Sequence, residues 1–219
     1  MKITLIGASG FVGAAVLSEL VSRGHAVSAI VRNPGKIAPA NDVTVLGIDA
    51  TDVSAMTNAL RGHDAVISAF NPGWTVDALY EKFIEGSNAI HRAVEASGVK
   101  RFVVVGGAGS LYVAPGVQLV DTPNFTDHVP PNIVPGAKAA RDVLTGLRSN
   151  TTLNWSFVSP PAMLEPGERT GQYRVGGEQS LMTPEGAPAG ISVADLAVAI
   201  VDEIEQPKHV RARFTVARP

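Results

Sequence analysis

A short glycine-rich turn at the start of the chain constrains its fold more than any other feature. The segment Gly7-Ala8-Ser9-Gly10-Phe11-Val12-Gly13 has glycine at its first, fourth and seventh positions, directly after the strand-like run Ile3–Ile6 and at the start of a helical pattern. Glycine permits the tight turn from strand to helix and lets the backbone approach an anion. The free N–H groups and positive dipole end of the helix suit a pyrophosphate. The turn therefore predicts a βαβ unit that binds a dinucleotide.

The remainder of the chain alternates β-branched apolar runs with segments of helical period, a pattern typical of a parallel sheet covered by helices on both faces. The predicted strands are Ile3–Ile6, Val27–Val31, Val43–Leu46, Ala65–Ser68, Phe102–Val105, Trp155–Val158 and Phe214–Val216. The predicted helices are Val12–Arg23, Val53–Leu60, Leu79–Ser97 and Val193–Ile204. Ser192 and Asp195 resemble a capping box for the last helix. We therefore expect an α/β fold of the Rossmann type, with a doubly wound parallel sheet of about seven strands.

Two long segments interrupt the alternation, at about residues 110–135 and 160–190. The first is rich in proline, namely Pro115, Pro123, Pro130, Pro131 and Pro135. The second is rich in glycine, and a hairpin is predicted around Gln172–Val175. Long irregular segments in a compact domain usually bind ligands. We expect one NAD(P)-binding domain over residues 1–219, with a small C-terminal substrate lobe formed by these two insertions.

Composition and charge exclude several classes of function. The 219 residues include 18 basic and 20 acidic side chains, with a net charge of −2 and no basic stripe, which argues against a nucleic-acid partner. Cysteine is absent, which excludes disulfides, thiolate catalysis and iron–sulfur clusters. No spacing of His, Asp and Glu indicates a metal site, and no apolar stretch approaches the roughly 20 residues of a membrane helix. The chain starts directly with a strand-like run, so we expect a soluble cytoplasmic protein without a signal peptide.

The end of the second predicted strand indicates which dinucleotide is bound. NAD-binding domains usually present a carboxylate there to the adenosine ribose hydroxyls. The segment Ala29–Pro34 has no acidic residue and carries Arg32 instead. A guanidinium suits the 2′-phosphate of NADP by charge and by bidentate hydrogen bonding. We therefore predict that the protein prefers NADP(H), with NAD(H) as the second choice. A solvated surface arginine is the alternative interpretation.

Motifs along almost the whole chain resemble a known family. They are GASGFVG, AIVRNPGK, GIDATD, DAVISAF, VVVGGAGSL and the tail ISVADLAVAIVDEIEQP. These segments closely match the atypical short-chain dehydrogenase/reductases. Within that group they are most similar to the bacterial proteins described as NADH-flavin reductases, and to the NmrA-like and biliverdin reductase B-like proteins.

The resemblance implies positions for the cofactor. The pyrophosphate would contact Gly7, Ala8, Ser9, Gly10, Phe11 and Val12. Arg32 would contact the adenosine phosphate, and Asp49 and Ala50 would contact the edge of the adenine. The adenosine side of the site would be lined by Ser68, Ala69 and Phe70. The segment beneath the nicotinamide ribose would be Gly106, Gly107, Ala108 and Gly109. The turn near the nicotinamide carboxamide would be Ser159, Pro160, Pro161 and Ala162. For the small residues at the strand ends, helix–sheet packing is the alternative explanation.

One departure from the family concerns acid–base chemistry. Members that interconvert alcohols and ketones carry a tyrosine four residues before a lysine, whereas Val134 stands at that position before Lys138. Without the phenol, alcohol or epimerase chemistry loses its general acid/base, whereas flavins and quinones accept hydride at a conjugated centre. The predicted catalytic residue is Ser110, after the glycines of the fifth strand, although it could simply cap the loop. Lys138 would orient the nicotinamide ribose or lie on a helix surface, and His128 is the only histidine considered for proton transfer.

The segments predicted to surround the crevice at the carboxyl end of the sheet contain Trp74, Tyr112, Phe125 and Met163. These side chains would offer stacking and apolar surface to a flat ring, or pack the loops onto the core. We therefore predict an NAD(P)H-dependent reductase that transfers hydride to a planar small-molecule acceptor such as flavin or quinone, as a monomer or homodimer. Two alternatives stay open. One is a non-catalytic NADP(H)-sensing regulatory protein of the NmrA-like kind, and the less favoured one is a sugar-nucleotide epimerase or dehydratase.

Overall fold

A computed structural model of the protein describes residues 1–219, apart from the side chain of His128. The helices are α1 Phe11–Ser22, α2 Val53–Leu60, α3 Leu79–Ser97, α4 Phe125–His128, α5 Val134–Arg148 and α6 Val193–Glu205. The strands are β1 Lys2–Ile6, β2 Ala26–Val31, β3 Val43–Gly47, β4 Ala65–Ser68, β5 Arg101–Val105, β6 Tyr112–Ala114, β7 Val117–Gln118, β8 Asn154–Ser159, β9 Met163–Glu165, β10 Arg174–Gly176, β11 Gly190–Ser192 and β12 Ala212–Ala217.

The central sheet has eight strands in the order β10-β12-β8-β5-β4-β1-β2-β3. All neighbours pair in parallel except β10 and β12, which are antiparallel. The chain runs outward from β1 to β3 and then returns to β4 on the other side of β1. This reversal opens a crevice at the carboxyl ends of β1 and β4, where ligands bind in doubly wound sheets. The predicted Rossmann-type α/β fold is confirmed, with one strand more than the sequence predicts.

Helices cover both faces of this sheet. On one face α1 and α6 pack together, and Val16, Leu20 and Ile200 are fully buried there against Ile3 and Leu5 of β1. On the other face α2, α3 and α5 pack side by side over Phe102, Phe157 and their neighbours. The strands read as apolar runs because both of their faces are covered.

Helix α5 is the main element that the sequence patterns do not reveal. Its buried side includes Ala139, Val143 and Leu147, which follow one another at four-residue intervals. The helix begins beside Pro135 and Gly136, two residues that usually indicate a loop. Proline is tolerated here because the first turn of a helix needs no N–H donor at that position.

The predicted hairpin around Gln172–Val175 is wrong. Arg174–Gly176 forms the edge strand β10, which pairs with β12 rather than with an adjacent segment. The chain enters this strand through Thr170 and Gly171, whose N–H groups donate to the carboxylate of Asp195 at 2.8 and 2.7 Å. Only half of the predicted capping box therefore forms. The Ser192 hydroxyl accepts from the Asp195 N–H at 3.0 Å, whereas the Asp195 carboxylate is bound to the segment before β10.

The two predicted insertions contain short elements rather than irregular chain alone. The first holds the antiparallel pair β6–β7, a 3₁₀ turn at Leu119–Asp121 and the short helix α4. The second holds β9, which pairs in parallel with β11, and the edge strand β10. Among the described residues, no helix combines the length and apolarity needed to cross a membrane.

Candidate functional site

The structure explains the three glycines of the first turn in different ways. Gly7 has a φ of +80°, and a Cβ there would lie 2.5 Å from the carbonyl oxygen of Ala69. A Cβ on Gly13 would lie 2.1 Å from the carbonyl oxygen of Gly7. Gly10 has an ordinary extended backbone, and its Cβ would meet only the Gly7 oxygen, at 3.4 Å. Packing therefore requires glycine at positions 7 and 13, whereas Gly10 leaves open space above the turn.

The start of α1 offers backbone donors to that open space. Gly10 is its N-cap, without a side-chain cap, and the Gly10 N–H donates to the Gly7 carbonyl at 3.0 Å. Among the described residues, the N–H groups of Phe11 and Val12 have no protein acceptor. Unpaired donors at the positive end of a helix dipole are the arrangement that binds phosphate groups. The turn therefore fits a dinucleotide pyrophosphate.

A cleft of about 360 Å³ lies at the carboxyl ends of β1, β4, β5 and β8. It brings together most of the residues predicted to bind the cofactor. They are Gly10, Phe11 and Val12 after β1, Ala69 and Phe70 after β4, Gly106, Gly107, Ala108 and Gly109 after β5, and Pro160, Pro161 and Ala162 after β8. The volume is within the usual range for small-molecule sites.

Apart from Trp74 and Phe125, the remaining wall of the cleft consists of residues that the sequence reasoning missed. They are Asn71, Phe83, Val105, Leu119, Val129, Ile133, Gly136, Ala137, Ala140 and Leu164. A Cβ on Gly136 would lie 2.9 Å from Cζ3 of the Trp74 ring, so a side chain there would displace the ring. The small residues near the start of α5 thus let the helix and Trp74 approach closely. The run Gly136-Ala137-Lys138-Ala139-Ala140 was the available signal for this contact.

The predicted adenosine end lies outside this cleft, at the ends of β2 and β3. Arg32 is exposed and donates from Nη2 to the Pro72 carbonyl at 3.0 Å. Within the described chain its Nε and Nη1 groups have no protein acceptor, which leaves part of the guanidinium fork for a ligand. The Asp49 carboxylate accepts from the Thr51 N–H and hydroxyl at 2.8 and 2.7 Å, and these bonds, with a smaller contribution from Arg32, lower the pKa of Asp49.

Five other predicted contacts of the adenosine and pyrophosphate also lie outside the walls of the cleft, namely Gly7, Ala8, Ser9, Ala50 and Ser68. Ser9 is exposed beside the open turn, whereas Ala8, Ala50 and Ser68 are buried. Ala8 and Ala50 belong to the hydrophobic core clusters of the protein. Their roles in cofactor binding stay predictions.

Ser110 lies one residue beyond the cleft wall and is only 1% exposed. Its hydroxyl is 3.2 Å from the Ser159 hydroxyl and accepts from Nη1 of the buried Arg213 at 3.2 Å. Neither serine lines the cleft, so the structure brings them to each other rather than to the ligand space. This geometry favours a positioning role for Ser110, acting through the neighbouring Gly109 and Pro160. Its predicted contact with the reacting ring stays a prediction.

Lys138 is exposed on α5 and does not line the cleft, although its neighbour Ala137 does. No tyrosine replaces the missing phenol. Of the three tyrosines in the chain, Tyr80 donates to Asp142 at 2.9 Å and Tyr173 to Asp202 at 2.5 Å. The third, Tyr112, lines a neighbouring groove. Among the described residues, no titratable side chain lines the cleft.

The aromatic side chains predicted at the crevice divide into two groups. Trp74 and Phe125 line the cleft, together with Phe11, Phe70 and Phe83. Tyr112 lies in the adjacent groove, and Met163 is exposed and lines neither space. The side chain of His128, considered for proton transfer, is outside the described residues. The described walls thus present apolar and aromatic surface, which suits a flat conjugated ring.

A separate chamber of about 10 Å³, roughly the size of one water, lies behind the cleft. Its polar lining consists of Ser68, Ser87 and His91, and its apolar lining includes Phe70 and Gly106, which also form the cleft wall. Burial lowers the pKa of His91 to about 4, against a smaller raising effect of Glu95. The imidazole is therefore neutral at pH 7. Within the described residues, no group of three His, Cys, Asp or Glu side chains is placed to hold a metal.

Comparison with known proteins agrees with this geometry. The sequence matches the family described as NAD(P)H-binding over residues 7–207. It is 38% identical over 219 residues to the uncharacterized protein YwnB of Bacillus subtilis, covering 99% of this chain and 98% of YwnB.

Two crystal structures extend the similarity to the whole fold. One, from Bacteroides thetaiotaomicron and described as a "putative epimerase", is 42% identical with a TM-score of 0.90, over 99% of this chain and 96% of that one. Another, from Streptococcus pneumoniae and described as a "putative NADH-flavin reductase", is 35% identical with a TM-score of 0.83, over 100% of both chains.

Proposed function

The chain belongs to the NAD(P)H-binding family, and from this premise we propose that it is an NADP(H)-dependent reductase of a planar conjugated acceptor such as a quinone or a flavin. One observation carries the proposal. The cleft beside the glycine turn has aromatic and apolar walls, and its described lining contains no titratable side chain. A substrate that needs a proton from the protein in step with hydride transfer is poorly served there.

The residues of the turn supply the binding chemistry. The N–H groups of Phe11 and Val12 face the pyrophosphate position, and Gly10 leaves room for it. Arg32 offers its free guanidinium donors to the 2′-phosphate at the other end of the cofactor. NADPH, when bound, supplies the hydride. The apolar walls exclude water and orient the acceptor against the nicotinamide.

The relatives' descriptions point to two different chemistries, epimerisation and flavin reduction. Epimerisation of a sugar nucleotide requires removal and return of a proton, usually through a tyrosine phenol. Here Val134 replaces that residue, and all three tyrosines lie outside the cleft lining. Hydride transfer to a conjugated ring needs no such group, since the protons can come from water. The described cleft therefore favours the reductase over the epimerase.

A second candidate function is a non-catalytic sensor of NADP(H). It is favoured by the same absence of titratable side chains from the described cleft lining, because a binding protein needs none. The two functions differ in turnover and not in cofactor affinity.

Steady-state oxidation of NADPH in the presence of 1,4-benzoquinone, FMN or FAD separates the two candidates. The reductase predicts protein-dependent turnover with at least one of these acceptors, above the reaction in buffer. The Gly10→Val variant should lose that turnover, because a side chain would fill the pyrophosphate position. Tight NADPH binding by the wild type without turnover of any acceptor would refute the reductase and support the sensor.

A further inference from the structure

We propose that a second groove beside the cleft binds an apolar tail of the acceptor, so that the substrate is a planar ring with a neutral alkyl or isoprenoid chain. This inference rests on the proposed reductase function, because it assigns the other half of the same substrate. It narrows the acceptor from flavins and quinones in general to tailed quinone-like molecules.

The groove has a volume of about 830 Å³ and lies between the β6–β7 pair and the segment 178–188. Backbone hydrogen bonds fix its floor. The Tyr112 N–H donates to the Glu178 carbonyl at 2.9 Å, and the Ser180 N–H donates to the Tyr112 carbonyl at 2.9 Å. Its lining includes the exposed apolar side chains of Val113 and Met182. A groove of this kind gains free energy by burying an apolar ligand.

The groove and the cleft share part of their walls. Leu119 and Ala162 line both spaces. The Leu119 N–H donates to the Leu111 carbonyl at 2.8 Å, which fixes this part of the wall, and Ala162 directly follows the two cleft residues Pro160 and Pro161. A ring seated in the cleft against this wall can therefore direct a substituent across Leu119 and Ala162 into the groove. This continuity distinguishes the groove from an isolated apolar patch.

Charge selects among the acceptors. The only charged side chain in the groove lining is Glu178, within the described part of the chain, and its carboxylate already binds Arg213 at 2.5 Å and Arg148 at 2.6 Å. Among the residues that the structure describes, no lysine or arginine lines the groove, so the phosphate of FMN or the pyrophosphate of FAD would find no free cation there. Desolvating an unpaired anion is unfavourable, whereas an alkyl chain finds matching surface.

The wall beneath the tail is also rigid. The ring of Tyr112 lies with its centroid 5.8 Å from the guanidinium carbon of Arg213, a distance at which the cation attracts the ring face. Arg213 is buried and donates to the Ser110 and Glu178 carbonyls at 2.8 and 2.9 Å. One buried arginine thus fixes Ser110 next to the cleft and Tyr112 in the groove. The two halves of the proposed substrate site share this support.

The test is a series of benzoquinones with the same ring and unbranched alkyl tails of increasing length, used below the concentrations at which they self-associate. We expect kcat/KM with NADPH to rise by up to about fourfold per added methylene, through a falling KM, until the groove is filled. Val113→Asp should flatten this dependence, because it places a carboxylate in the groove. Val210→Asp is the matched control, since both valines are 45% exposed and Val210 lies outside the groove, and it should keep the wild-type slope.

The outcomes are separable from those of the proposed function. Turnover of unsubstituted benzoquinone with no effect of tail length would overturn the tail site alone. An equal change by Val113→Asp and Val210→Asp in the dependence of kcat/KM on tail length would also overturn the tail site. The same holds if FMN is the best acceptor. A wild-type dimer that Val113→Asp converts to a monomer, without a tail effect, would assign the groove to a second copy of the chain and also overturn the proposal.

If neither a quinone nor a flavin is turned over, the reductase function fails, and calorimetric titration of the protein–NADP⁺ complex decides the groove by itself. Tighter binding of a tailed quinone than of the bare ring, lost in Val113→Asp, supports the groove as a tail site. Equal affinity of the two quinones overturns it.

Discussion

Replacing Arg32 by alanine should weaken NADPH binding and leave NADH binding nearly unchanged. Arg32 stands at the end of β2, where NAD-specific domains present a carboxylate, and its Nε and Nη1 groups are free among the described contacts. A charge-assisted hydrogen bond to a phosphate contributes about 1.5–3 kcal/mol net, which corresponds to roughly a ten- to hundredfold preference. NADH lacks the 2′-phosphate, so the removal of the guanidinium should cost it almost nothing.

The surroundings of Arg32 place the expected effect at the lower end of that range. The side chain is exposed, so solvent and salt screen its charge. Nη2 already donates to the Pro72 carbonyl, and the ionised Asp49 carboxylate is close enough to interact with the guanidinium. We therefore expect about a tenfold loss of NADPH affinity at low salt and a smaller loss as ionic strength rises.

Fluorescence titration of both cofactors, at low and high salt, measures this effect. Arg61→Ala is the matched control, because Arg61 is an exposed arginine at the end of α2, on the opposite edge of the sheet. Lys36→Ala should have a smaller effect than Arg32→Ala, since its hydrated ammonium makes no bidentate contact. Equal dissociation constants of the wild type for NADPH and NADH at low salt would refute the reasoning, as would an equal loss for both cofactors in Arg32→Ala.

Three further predictions concern the turn, the buried serine and the partly buried His91. Gly10→Val should abolish dinucleotide binding in calorimetry, because its side chain would fill the space for the pyrophosphate. The circular dichroism spectrum should be retained, because the Cβ meets only the Gly7 oxygen, at 3.4 Å. Unchanged affinity would show that the pyrophosphate does not bind at the turn. Ser110→Ala should lower kcat more than it weakens NADPH binding, because the hydroxyl supports loops beside the cleft, and an unchanged rate with every acceptor would contradict that role. His91→Gln should remove part of the acid sensitivity of folding, measured by urea denaturation between pH 7 and about pH 4. Identical pH dependence of wild type and variant would contradict the lowered pKa of His91 in the folded protein.

The sign of the His91 prediction follows from its depressed pKa. The pKa is about 4 in the folded protein and 6.5 in an unfolded chain, so the unfolded state binds more protons between these values. Stability is therefore unaffected by this group above about pH 6.5, falls as the pH drops through the window, and levels off below about pH 4. The loss is at most about 3–4 kcal/mol, because the pKa falls from 6.5 to about 4 and one pKa unit corresponds to about 1.36 kcal/mol.

Elements with strong local signals could be predicted from the sequence. Strand β4 and helices α2 and α3 begin and end at the predicted residues. The spacing of apolar residues and the glycines that follow the two helices indicate these bounds. The location of the cleft also followed, because the segments after β1, β4, β5 and β8 meet at one edge of a parallel sheet. Helix α5 was missed because Pro135 and Gly136 resemble a loop and its buried alanines give a weak apolar period.

The parts that escaped prediction depend on contacts between distant segments. Ser110 follows the glycines of β5 as expected, but the 3₁₀ turn Ala108–Ser110 directs its hydroxyl to Ser159 and to Arg213, which is 103 positions away in the chain. Leu119 and Ile133, which line the cleft, come from a proline-rich segment whose apolar residues follow neither a helical nor a strand periodicity. No local pattern determines where such side chains point.

Single-turnover mixing under anaerobic conditions tests the central claim most directly. The protein saturated with NADPH is mixed with an equimolar planar acceptor, and the oxidation of NADPH and the reduction of the acceptor are followed together. The account predicts that one NADPH is oxidised for each two-electron equivalent accepted, faster than in buffer alone, and that Gly10→Val abolishes the acceleration. Bound NADPH that reacts no faster than free NADPH with quinones and flavins alike would contradict it.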